Sequence, residues 1–129
     1  MPAEIENLKG ALRFRLRRDF NVVPSTRDTS GKVHLEVWES KSGNRTVGVE
    51  FGQTDRINLW ITRLGMPRDL PETIERHDKD PVGTAWSDEM GKGANSNLSA
   101  YKQFKTKPIT RLGVKSLADV TLVLDHLSR

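Results

Sequence analysis

The chain has 129 residues, 35% hydrophobic and 29% charged, with no cysteine and a formal net charge of +4. This length suits a single domain, residues 1–129, with one sizeable core; without cysteine there are no disulfides, thiolate metal sites or cysteine nucleophiles. The N-terminal MPAEIENLKG lacks the apolar run of a signal peptide, and no stretch reaches membrane-spanning length, so a cytoplasmic protein with no membrane contact is expected.

Ile5, Leu8, Leu12, Leu16 and Phe20 recur every three or four residues, which predicts a helix over residues 4–18. A competing pattern, Leu12, Phe14 and Leu16 alternating with Arg13, Arg15 and Arg17, fits a strand. The helical spacing has more matches, although Gly10 costs such a helix about 1 kcal/mol. Residues 21–31 have loop composition.

Three alternating segments follow, over 33–38, 46–51 and 57–62, joined by the short turn-rich stretches SKSGN and GQTD. They predict an antiparallel meander. One face would carry the aliphatic residues and Phe51, the other Trp38 and Trp60 with Gly48 between them. Pro71 suits the first turn of a short helix reaching Arg76. Residues 77–97 show no sustained periodicity and read as a long irregular region. A helical turn is expected near Leu98–Phe104, and Pro108 to Val114 alternates as a fourth strand. The last helix starts at Ser116, a capping residue, with Asp119 at its third position. Its apolar stripe is Leu117, Val120, Val123, Leu124 and Leu127. The expected fold is α+β: an antiparallel sheet of about four strands, a meander of three plus one, with N- and C-terminal helices packed on it.

The charge distribution is the most informative functional feature. No acid lies between Glu89 and Asp119, whereas Lys92, Lys102, Lys105, Lys107, Arg111 and Lys115 all fall in that interval. Arg13, Arg15, Arg17 and Arg18 form a second basic cluster. Clustered positive charge attracts anionic polymers. Lysines neutralise phosphates, while Asn95 and Asn97 have the donors and acceptors to read a base edge. Trp86 and Tyr101 offer rings for stacking on an unpaired base. These residues together are the candidate nucleic-acid-binding set of a small binding module that uses the 90–115 region. The bland alternative makes Tyr101 and Phe104 core residues, the lysines a solvated face, and Asn95 a helix cap.

Other chemistries compete. Asp28 followed by Glu39-Ser40-Lys41 has the residue types of a metal-dependent nuclease: carboxylates for magnesium and a lysine to activate water. Glu39 lies at a strand end rather than within a central strand, which weakens that reading. His77, Asp78 and Asp80 are a local polar cluster, and neighbouring loop residues seldom converge on a metal. Gly91-Lys92-Gly93 fails the phosphate-loop pattern, because Trp86 stands where its first glycine belongs. No catalytic set, metal site or cofactor is therefore assigned. A third reading is an interaction module or inhibitor that engages an acidic surface on a protein partner.

Overall fold

In the computed structural model, which describes residues 2–24, 35–42, 45–83, 85–94, 98 and 101–128, the N-terminal segment is a helix, α1 (Pro2–Asp19). Ile5, Leu8, Leu12 and Leu16 are buried along one side while Phe14 stays exposed. This decides between the two periodicities, since a strand would have put Phe14 beside Leu12 and Leu16. Glu4 sits in the first turn and Arg17 and Arg18 in the last, where their charges oppose the helix dipole.

The chain then forms β1 (Phe20–Val22), β2 (Leu35–Ser40), β3 (Thr46–Glu50), β4 (Ile57–Thr62), β5 (Glu75–Val82), β6 (Ala85–Ser87) and β7 (Ile109–Val114), before α2 (Leu117–Leu127). The fold is α+β, as expected, but the sheet has seven strands rather than about four, in the order β1-β2-β3-β4-β7-β5-β6. Every pairing is antiparallel. Among the described residues no helix is long and apolar enough to cross a membrane.

The additional strands lie where hydrophobic alternation is weakest. Strand β1 has only three residues and pairs with the end of β2. The short helix expected after Pro71 is instead a turn, closed by Ile74 N–H donating to the Pro71 carbonyl, and β5 follows at once. Of its eight residues ERHDKDPV, only Lys79 is buried, so no apolar period marks it. The strand pairs with β7 over Glu75–Lys79 and with β6 over Asp80–Val82. Pro81 falls in the half that β7 no longer pairs, where its missing N–H breaks no bond to β7.

Register sets the two faces of the sheet. Residues directly opposite one another point the same way. Trp38 faces Val47, which faces Ile61, while Val37 faces Gly48, which faces Trp60. Trp38 and Trp60 therefore lie on opposite faces, and the expectation that they flank Gly48 on one face is corrected. The first face buries Val47, Val49, Phe51, Ile57, Leu59, Ile61, Leu112 and Val114 beneath α1 and α2, with Trp38 at its margin. The second carries Leu35, Val37, Trp60 and Ile109, and is covered by Trp86, Leu98, Tyr101 and Phe104. Both helices thus share one side, and the segment between β6 and β7 closes the other.

The start of α2 follows the expected cap: the Ser116 hydroxyl accepts from the Asp119 N–H at 3.2 Å. Its buried stripe is Val120, Val123, Leu124 and Leu127 together with Asp119. Leu117, expected in that stripe, is exposed.

Candidate nucleic-acid interface

The 90–115 region is built around its aromatic residues. Phe104 is 0% exposed, Trp86 4% and Tyr101 6%, all within the second core. The Trp86 Nε1–H donates to the Lys107 carbonyl at 2.7 Å, which ties β6 to the end of the covering segment. Leu98 lies over Gly48: a Cβ added there would stand 3.1 Å from Leu98 Cδ2. The expected helical turn is present as successive tight turns, with Tyr101 N–H donating to the Leu98 carbonyl and Phe104 N–H to that of Tyr101. Lys107 N–H then donates to the Phe104 carbonyl, and Thr106 sits between at a φ of 61°. For a β-branched residue this left-handed conformation is unusual. It reverses the chain so that Lys105 and Lys107 come out at the surface.

With the rings turned inward, the lysines face solvent. Lys92, Lys102, Lys105 and Lys107 are exposed, Arg111 is half-buried on β7, and Lys115 is exposed just after it. Arg111 stands between Trp60 and His77 across the sheet, and its buried Nε has no hydrogen-bond partner. Asn95 and Asn97 lie outside the described residues. Trp86 and Tyr101 are core side chains here, and the surface they help to build is one of ammonium groups rather than rings.

Lys92 projects from a separately fastened turn. The Lys79 ammonium donates to Asp88 Oδ2 at 2.7 Å, and the other carboxylate oxygen accepts the Met90 and Lys92 amides at 2.9 and 2.8 Å. Gly91, at a φ of 78°, takes the left-handed position that suits glycine. The Lys79 hydrogen bond, and after it that from the Lys92 amide, hold the Asp88 carboxyl down at about 2, against the opposing effect of burial. This support was missed in the sequence. Asp88 and Gly91, three residues apart, have the spacing of a type I turn, but nothing local points to Lys79 as their anchor.

Elsewhere, among the described residues, most cations are paired with carboxylates, Arg17, Lys41, Arg45 and Arg68 excepted. Arg13 pairs with Glu36, Arg15 with Asp19 and Asp125, and Arg18 with Asp19. The Arg18 hydrogen bond, aided by Arg15, lowers the Asp19 carboxyl to about 2. Arg56, Arg63 and Arg76 pair with Asp55, Asp80 and Asp78. Among the described residues, no cation between Met90 and Ala118 makes an ion pair.

The competing sites are less complete. Glu39 is half-buried near the end of β2 and Lys41 is exposed in the turn beyond it; Asp28 lies outside the described residues. On β5, alternation puts His77 on the face opposite Asp78 and Asp80. Asp78 accepts from Thr110 and Arg76, and Asp80 from Arg63. His77, Asp78 and Asp80 nonetheless all line one open groove of about 490 Å³, with Arg63, Arg76, Asp88, Glu89 and Met90. No group of three or more His, Asp or Glu placed to hold a metal occurs among the described residues.

No protein-family model, no curated protein and no solved structure matches the chain.

Proposed function

We propose that this chain is a small nucleic-acid-associated binding module that contacts backbone phosphates through Lys92, Lys102, Lys105 and Lys107. The observation that carries the reading is that, among the described residues, these lysines have no carboxylate partner while the other basic groups are largely paired. A face that serves solubility alone usually mixes signs. Unpaired lysines over an acid-free stretch keep their charge for an external anion, and phosphate binding by lysine releases condensed counterions. Of the N-terminal arginines, which the sequence also suggested, Arg13, Arg15 and Arg18 contribute less, because they are committed to Glu36, Asp19 and Asp125.

The test is fluorescence anisotropy of labelled oligonucleotides over a salt series. Binding should weaken linearly in log–log salt. The combined Lys102→Ala, Lys105→Ala, Lys107→Ala variant should lower the slope on duplex DNA by about 2.7. Arg18→Ala, whose guanidinium is paired with Asp19 on the helix of the opposite sheet face, should leave it nearly unchanged. Failure to bind any oligonucleotide at low salt would refute the proposal.

A further inference from the structure

We infer that this surface takes double-stranded nucleic acid in preference to single strands, holding it by phosphate charge and not by base stacking; the inference rests on the phosphate-binding reading above. Proteins that bind single strands combine a positive groove with exposed rings on which successive bases stack. Here the rings are used elsewhere. From Met90 to Lys115 the only aromatic residues are Tyr101 and Phe104. Both are buried against the sheet, as is the flanking Trp86. The Trp86 indole N–H is also held by the Lys107 carbonyl. Turning any of these rings outward would open the second core and uncover Leu35, Val37 and Trp60 beneath it.

The groups left outside are ammoniums on flexible stems. Lysine binds phosphate as a point charge, without the planar fork that lets arginine recognise and stack. The one arginine of the stretch, Arg111, is half-buried within β7. Exposed Phe14 offers no substitute, because it lies on α1, on the opposite side of the sheet, with the Arg18 guanidinium 5.9 Å from its ring centroid. A surface that works by charge alone favours the ligand with the denser phosphates. Duplex DNA carries one charge per about 1.7 Å of axis, and each neutralised phosphate contributes about 0.9 to the salt slope on duplex against about 0.7 on a single strand. With Lys92, Lys102, Lys105 and Lys107 engaged, the slopes are about −3.6 and −2.8, and for equal affinities at about 1 M salt the difference at about 50 mM amounts to about tenfold.

The experiment titrates the full chain into labelled duplex DNA, duplex RNA and oligo(dT) of equal length, following anisotropy and intrinsic tryptophan emission together. The expected result is tighter binding to one or both duplexes than to oligo(dT), with the steeper slope and no quenching of tryptophan emission. The two duplexes distinguish DNA from RNA as the source of the phosphates. Oligo(dT) binding as tight as the tighter-bound duplex, or quenching of tryptophan emission by it, would overturn this inference while leaving phosphate binding intact. Absence of binding to all three would overturn both.

Discussion

The Lys79 ammonium, 3% exposed, lies 2.7 Å from Asp88 Oδ2, joining the polar strand β5 to the turn that carries Lys92. The pair gives β5 a buried anchor in place of an apolar stripe. Breaking it from either end has unequal consequences. Asp88→Asn leaves a buried ammonium without its counter-charge, whereas Lys79→Met removes that charge and fills similar space. Thermal melts should show Asp88→Asn as the more destabilised variant, with Lys79→Met, which still costs the carboxylate its cation, between it and the unaltered chain.

The same contact predicts a pH dependence. The folded-state value of about 2 for Asp88 lies below the ordinary carboxylate value of 3.8, so folding favours its ionised form. Its stabilising effect is fully present above the unfolded value and is lost as pH falls from there through about 2. Melting temperatures measured across this range should fall less steeply in Asp88→Asn. Some slope should remain, because Asp19 is lowered to about 2 as well.

Gly10 occupies the interior of α1, and a Cβ there would meet nothing within 4 Å. Gly10→Ala therefore adds a helix-favouring residue without a clash and restricts the unfolded chain. It should stabilise the protein by about 0.5–1 kcal/mol, measurable by urea denaturation with an unchanged slope.

Leu98 packs directly over Gly48 in the second core. Leu98 is 0% exposed, and Leu98→Ala should cost about 2–5 kcal/mol through the cavity it leaves. Gly48→Ala pushes against Leu98 Cδ2 and should cost about 1 kcal/mol. In the double variant the new methyl occupies part of the cavity, so the combined loss should be smaller than the sum of the single losses. A double-mutant cycle in denaturant measures this coupling.

Ser116→Ala removes the acceptor for the Asp119 amide and should cost about 1 kcal/mol. Asp119 has a second role, since its carboxylate accepts from the Thr73 hydroxyl at 2.8 Å. Thr73→Val should therefore destabilise by about 1.5 kcal/mol, although Thr73 itself is exposed. Denaturant midpoints of the two single variants check both values.

Elements whose cause is local were legible in advance. The spacing of Ile5, Leu8, Leu12 and Leu16, the Ser116 cap, and the alternation of the meander and β7 each depend on residues a few positions apart. The acid-free run of lysines could likewise be read directly, and the bland reading of Tyr101 and Phe104 as core residues agrees with their burial. Their neighbour Trp86, a candidate stacking ring by composition, is buried for a reason no local pattern contains: its indole meets the Lys107 carbonyl, twenty-one residues away.

Tertiary structure decided the rest, because those features depend on pairing at a distance. Polar β5 becomes a strand because β7 and β6 supply its hydrogen bonds over successive halves. The register of β2 against β3 shows how much one residue matters: with side chains alternating at a period of two, a single step exchanges Val37 for Trp38 between the two faces. That step separates Trp38 from Trp60, seats Leu98 over Gly48, and directs the cover's aromatic rings inward and its lysines to solvent.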